Sequence, residues 1–239
     1  MRDLAIIVPS RGRPGRVAAL WDALNRTCIR DVHLVIGLDA DDPECPNYPE
    51  GPEYVVRSDL RFVVPWINAL AVPLVDEFRY VGMLGDDNMP RTVGWDAQIL
   101  DALQKTPFAF GNDLYPREQG EHPCHIFCRS EIIKALGYLG PPCLRHMFVD
   151  NCWLEWGKAV GITYLPEVII EHLHFTVGKA AYDETYQKSV ALWDSDQAAY
   201  SAYVHDRLAA DIERIKAALE EAGELSHLRH PYALNSSSL

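Results

Sequence analysis

The chain holds six cysteines (Cys28, Cys45, Cys124, Cys128, Cys143 and Cys152) but no CxxC pair and no dense cysteine framework. Reduced thiols in a cytosolic compartment fit that scatter. Long apolar runs are missing as well. No segment approaches the roughly 18 uninterrupted apolar residues of a membrane span. The opening MRDLAIIVPSRGRP is too short an apolar stretch for a signal peptide and lacks a small-residue cleavage site. Basic charge is in deficit, with 22 Lys and Arg against 34 Asp and Glu, a net charge of −12. That excludes a simple basic DNA-coating protein, although not a local basic groove. Neither GxxxxGK[ST] nor GxGxxG occurs, which argues against P-loop ATP hydrolysis and a dinucleotide fold. Repeats, low-complexity tracts and convincing linkers are absent too.

What remains is ordinary globular material: 239 residues, 48% hydrophobic and 23% charged, enough for one full-sized core. A single domain over residues 1–225 is expected, with a frayed tail at 226–239. Leu4 to Val8 reads as a buried strand. The turn-forming basic loop Ser10-Arg11-Gly12-Arg13-Pro14-Gly15 follows, then Val17, Leu20, Trp21 and Leu24 at helical spacing. Val32 to Leu38 is a second strand, so the opening is a βαβ unit on a parallel sheet. Further on, short strands are expected at Tyr54–Val56 and Phe62–Val64, and a helix from Ile67 to Phe78 kinked or broken at Pro73. Arg79 to Leu84 and Phe108 to Phe110 read as strands, with helices at Trp95–Leu103, Ile132–Leu136 and Val149–Val160. Extended segments at Ile162–Leu165 and Val168–Ile170 lead into Glu171-His172-Leu173-His174. The rest is helical from about residue 183, and Leu208, Ile212, Ile215 and Leu219 form one apolar stripe.

Ligands of open α/β sheets bind outside the carboxyl ends of the strands. Three polar clusters fall there: Ser10 to Arg13, Asp39 to Asp42, and Asp86 to Asn88. Any one could be turn chemistry; three of different character on one rim are harder to dismiss. Adjacent carboxylates raise each other's pKa unless a cation separates them, and hard oxygen donors suit Mg2+ or Mn2+. His172 and His174 stand two apart in an extended stretch, so both project from one face as metal ligands or as packing residues. Arg11, Arg13 and Arg16 precede a helix N-terminus, a combination that favours phosphate or makes a solvated turn. Asp150 opens a helix between aromatics, either as an N-cap or as a general base. Cys124-His125-Ile126-Phe127-Cys128 reads as buried reduced cysteines rather than a zinc motif.

As a set, these motifs resemble a GT-A nucleotide-sugar glycosyltransferase of the family 2 type. IIVPSRGRP resembles that fold's first strand and loop, and Asp39 in VIGLDADDP its nucleotide-binding carboxylate. GDDN resembles the DxD motif, FVDNCWLEWGKAVGI the segment that begins with the catalytic Glu-Asp pair of inverting members, and EHLH the late metal-binding histidine. GKAAYDETY looks most like small bacteriophage glycosyltransferases, some of which modify hydroxymethylated pyrimidines in DNA.

The resemblance implies a mostly parallel α/β sheet flanked by helices, with a C-terminal helical extension. The donor is then a nucleoside-diphosphate sugar, a UDP-sugar first, held by Pro9, Ser10, Arg11, Arg13, Asp39, Asp41, Asn68, Asp86 and Lys179. A divalent metal, Mn2+ or Mg2+, falls to Asp87, Asn88, His172 and His174, with His174 preferred to His172. Asp150 becomes the base of an inverting transfer. The acceptor hydroxyl is first that of a hydroxymethylpyrimidine in modified DNA, with a glycan or a small molecule as the alternative, contacted from Asn112 to Arg145 through Tyr115, Arg117, His122, His125, Arg129 and Arg145. Asn88 and Val149 stand where the family has Asp and Glu, and no QxxRW follows, which leaves inverting and retaining routes both open. Rival classes are a catalytically silent sugar-nucleotide binder and a metal-dependent phosphohydrolase.

Overall fold

A computed structural model describes residues 1–116 and 120–223. The tail expected to fray and Arg117 lie outside the described residues. Eight strands form one sheet in the order β3-β2-β1-β4-β7-β6-β8-β5. They are β1 (Arg2–Ser10), β2 (Val32–Asp39), β3 (Glu53–Arg57), β4 (Phe78–Met83), β5 (Asn88–Pro90), β6 (Phe108–Asn112), β7 (Ile126–Arg129) and β8 (Ile162–His172). The β3-β2-β1-β4 half is wholly parallel, and β6 also runs parallel to β8. The antiparallel pairs, β4–β7, β6–β7 and β5–β8, all lie in the other half.

Alternation along the strands divides the core. Leu4, Ile6 and Val8 face one side of the sheet, under α1 (Pro14–Thr27) and α3 (Trp95–Leu103). Ile7, Val35 and Val81 face the other, under α2 (Val63–Leu74), α4 (Ser130–Leu136) and α5 (Val149–Val160). The carboxyl-terminal helices α6 (Glu184–Val190), α7 (Trp193–Asp206) and α8 (Leu208–Glu221) follow. On α8, Ile215 and Leu219 are fully buried in that second core, as their spacing predicts. None of the described helices is long and apolar enough to cross a membrane.

Two expected elements differ. Phe62–Val64 is not a strand: Phe62, at φ 68°, precedes α2, whose buried Val64, Trp66, Ile67, Leu70 and Ala71 recur at helical spacing. Pro65 is tolerated because first-turn N–H groups have no partner within a helix. Pro73 sits in the last turn, where the expected break falls, so α2 ends at Leu74 and does not run to Phe78, which begins β4. The strands β5 and β7 were not expected. Both are short, and their partners are distant in sequence.

Candidate active site

The strand order reverses direction about β1, and β1 and β4 end side by side there. That crevice is the switch point where open α/β sheets bind ligands. Asp86, buried, accepts hydrogen bonds from Ser10 Oγ at 2.7 Å and Arg13 Nη1 at 3.0 Å. Its neighbour Asp87 accepts from Tyr186 Oη at 2.7 Å, with Arg16 Nη1 at 3.4 Å and His172 Nε2 at 3.6 Å. Gly85 is required by close approach: a Cβ there would stand 2.6 Å from Asp87 Oδ1.

The two carboxylates are pushed apart in acidity. Burial, with the charge of Asp87, raises Asp86 to about 6. Burial also opposes ionisation of Asp87, but hydrogen bonds from His172 and Tyr186 and the charge of Arg13 outweigh it and hold that carboxyl well below the usual range. Arg13 is likewise buried, yet its bonds to Asp183 and Asp86 outweigh the desolvation and raise its pKa. One ionised carboxylate, Asp87, therefore faces the cleft beside imidazoles, while its neighbour is neutralised by an arginine.

The second cluster joins the rim at β2. Asp39 accepts from Arg11 Nη1 at 2.9 Å and from Trp66 Nε1 at 2.7 Å. Trp66 reaches it by lying on Gly37, where any Cβ would clash with the indole at 2.5 Å. Asp41 shares Arg11 with Asp39 and also meets Arg61. Asp42 accepts from Gly12 N and Tyr48 Oη, tying the two loops together.

Several expected positions do other work. Asn68 is absent from the rim; its amide accepts from Leu139 N and Gly140 N and donates to Gly140 O. Asn88 closes the GDDN turn, its Oδ1 accepting from Gly85 N at 2.7 Å. Lys179 is paired with Glu171 at 2.9 Å, beside the rim. Pro9 lies within β1, paired in register with Gly37. His174 is next to His172, ring centroids 4.9 Å apart, and its Nδ1 contacts Thr176 Oγ1 at 2.7 Å. Burial first, then the charge of His172, lowers His174 to about 4, so its ring is neutral and able to ligate.

Asp150 is not an N-cap. Phe148 holds the cap position of α5 in the left-handed region at φ 67°, stacked on Tyr200. Asp150 sits in the first turn and pairs with His122 Nε2 at 2.8 Å. Buried Asp196 on α7 accepts the N–H groups of Arg145, His146 and Met147, so the helical extension anchors the loop leading to it.

Of the expected acceptor residues, His125 and Arg129 belong to the core. His125 accepts from Gly111 N at 3.0 Å, and Arg129 donates to Leu103 O and Gln104 O. Tyr115 meets Thr176, and Arg145 lies over Phe62. Sequence reasoning missed Tyr186 and Asp183, the carboxylate that grips Arg13 through two bonds at 2.8 and 3.0 Å. Their only signal was DETY, a helix-capping pattern 170 residues from Arg13.

The oxygen of Asp87 and the imidazole of His174 are donors of the kind a hard divalent cation takes when phosphate oxygens complete its shell, with His172 beside them. The sole carboxylate, thiol and imidazole cluster with mutual ligand spacing among the described residues is a different one, Asp113, Cys124 and His172.

No protein-family model matches the sequence, and no curated protein matches it. Solved structures do. The chain is similar to the mannosyltransferase PcManGT from Pyrobaculum calidifontis, in complex with GDP-Man and Mn2+. Identity there is 13% and the TM-score 0.55, over 93% of this chain and 76% of that one. A second is glucosyl-3-phosphoglycerate synthase from Mycobacterium tuberculosis, with Mn2+, UDP and phosphoglyceric acid, at 12% identity and TM-score 0.56, covering 83% and 78%. A third is S. aureus TarS 1–349 with UDP, at 13% and 0.55, of which the match spans 59% against 70% of this chain. These likenesses establish the GT-A fold.

Proposed function

We propose that this protein is a metal-assisted glycosyltransferase, moving a sugar from a nucleoside-diphosphate sugar to an acceptor hydroxyl. One observation carries the reading: at the β1/β4 switch point an arginine-rich loop and an ionised carboxylate flanked by two histidines share one crevice. That pairing suits a diphosphate and a divalent cation, on the same fold as proteins solved with Mn2+ and sugar nucleotides.

In this reading Asp87 and His174 hold the cation, with His172 beside them. A bound divalent ion supplies charge neutralisation for the departing diphosphate. Arg13 and Arg16 meet the phosphates, and Arg11 with Asp39 and Asp41 meets the nucleoside. Asp150 is the base: as the acceptor oxygen bonds to the anomeric carbon and the carbon–diphosphate bond breaks, its carboxylate takes the hydroxyl proton. His122 orients that carboxylate, which supports an inverting displacement.

For the acceptor, a glycan or small molecule is favoured over hydroxymethylated DNA. Two basic residues of the expected groove, His125 and Arg129, are buried, and the net charge is −12. A thermal-shift panel of sugar nucleotides with and without Mn2+ tests the donor. Metal-dependent stabilisation by a UDP- or GDP-sugar is expected, followed by transfer of labelled sugar to a hydroxyl acceptor. Binding without any turnover would point to a silent binder, and cleavage of model phosphodiesters to a phosphohydrolase. Efficient transfer to hydroxymethylated oligonucleotides alone would reverse the acceptor assignment.

A further inference from the structure

Beside the crevice at the ends of β1 and β4, three segments distant from it in sequence bring together unlike donors. Asp113 follows β6, Cys124 precedes β7 and His172 ends β8, and one ligand atom from each lies within 4.8 Å of the others. Backbone bonds fix two of them, since His172 N donates to Asp113 O at 2.9 Å. The Asp113 carboxylate is held in turn by Tyr115 N at 2.9 Å.

The surroundings of the sulfur are more telling. Gly111 N–H can only donate, so the Nε2 of His125 that faces it at 3.0 Å is an acceptor and carries no proton. The ring proton is then on Nδ1, which stands 3.3 Å from Cys124 Sγ. The same logic fixes Asn88. Its Oδ1 accepts from Gly85 N, so its NH2 group is the end turned to Sγ, at 3.8 Å. Two N–H donors whose orientation is set by the backbone thus aim at one half-buried sulfur. Such donors around a sulfur belong with a thiolate ligand, whose charge they share. A thiol alone gains little from them.

We propose that Cys124, Asp113 and His172 form a binding site for a soft divalent cation of the zinc class. Three protein ligands of S, N and O type leave a fourth tetrahedral position for water. Thiolate selects against Mn2+ and Mg2+, which prefer oxygen, so this site is separate from the one assigned to Asp87, and His174 remains for the latter. Binding breaks the Sγ–H bond, forms an Sγ–metal bond and releases one proton to solvent. The ion would cross-link the ends of β6 and β8 to the segment carrying His122, which bears on Asp150.

Metal-stripped full-length protein titrated with Co2+ tests this directly. One equivalent should produce tetrahedral ligand-field bands and a thiolate-to-cobalt absorption, both erased by Zn2+. Cys124→Ser, which preserves size, should remove the thiolate absorption, and Asn88→Ala should weaken Co2+ binding about 10–100-fold without removing a ligand. No thiolate absorption in the wild type, or an undiminished one in Cys124→Ser, overturns the site. Should Cys124→Ser not fold, Asp113→Asn answers the same question: unchanged affinity there also overturns it. No sugar transfer is read, so the outcome is independent of the transferase reading.

Discussion

The two halves of the sheet build the same cleft by different means. From Arg2 to Pro90, the cleft wall is made of consecutive strand ends, and each cluster sits where a parallel strand stops. From Phe108 onward, the wall is assembled from pieces far apart in sequence. Tyr186 reaches Asp87 across 99 positions and Asp183 reaches Arg13 across 170. The first half displays charge; the second decides which of those charges is already engaged. Breaking one side at a time separates the two contributions.

The largest effect is expected from the second half. Asp150→Asn keeps size and removes the proton acceptor, so transfer should fall by about 10²–10⁴-fold while donor and metal affinity persist. Because Phe148 occupies the cap, loss of capping offers no rival explanation. Near-normal kcat in a folded variant would move the base to another group, Asp113 first, or to a retaining route.

In the first half, Asp87→Ala should abolish Mn2+-dependent stabilisation by a sugar nucleotide, which at a hundred times Kd amounts to about 2.7 kcal/mol. The apo protein should also lose about 1 kcal/mol, because the Tyr186 hydroxyl loses its 2.7 Å bond to Asp87 and keeps only the longer one to Leu173 O at 3.3 Å. Sequence alone suggests an apo state nearly unchanged, since adjacent carboxylates repel and removing one costs little. Differential scanning fluorimetry with and without ligand reads both terms. Full metal-dependent binding by the variant would detach GDDN from the metal.

This contrast marks how far the sequence was legible. Periodicity and turn residues revealed β1, α1, β2 and the three polar clusters because those signals are local. The two-residue spacing of His172 and His174 likewise foretold their shared face. Asp183, Tyr186 and the His122–Asp150 pair depend on tertiary contacts, and no spacing encodes them. Asn68 and Asn88 looked like ligand residues, but asparagine serves equally well to hold a turn, and only the position of Gly140 N–H and Gly85 N–H reveals that use.

Acid titration gives a smaller effect that sets the buried groups of both halves against each other. Burial lowers His125 from 6.5 to about 3, so its contribution is complete above pH 6.5 and is lost as pH falls toward 3. His174 acts in the same direction down to about 4, discounted because it is only half-buried. Asp86, raised to about 6, has the opposite sign: its stabilisation is present below the normal carboxylate range and is lost as pH rises through 6. The histidines outweigh it, so stability should decline from pH 6 to 4 by at most about 1.4 kcal/mol per unit. Urea midpoints across that window measure the slope, and a rise in stability toward pH 4 would mean that the histidines are not held neutral.

The smallest effect is expected at Asp183, where the second half touches the first most directly. Its carboxylate engages Arg13 through two oxygens and also accepts from Tyr186 N as the cap of α6. Asp183→Asn preserves the cap, since Asn serves there as well as Asp, and removes the charge that competes with phosphate for the guanidinium. The pair is about one-third exposed on the Asp183 side, so solvent screening limits the stability loss to about 1 kcal/mol or less. Arg13 retains Asp86 at 3.0 Å and should stay in place. Sugar-nucleotide affinity should therefore rise modestly, by about 2–10-fold, equivalent to roughly 0.4–1.4 kcal/mol, with the Mn2+ requirement unchanged. Calorimetric titration of UDP-sugar in the two proteins measures it. Weaker binding in the variant would show that Asp183 aligns Arg13 for the diphosphate instead of competing with it, and the far half would then be part of the donor site.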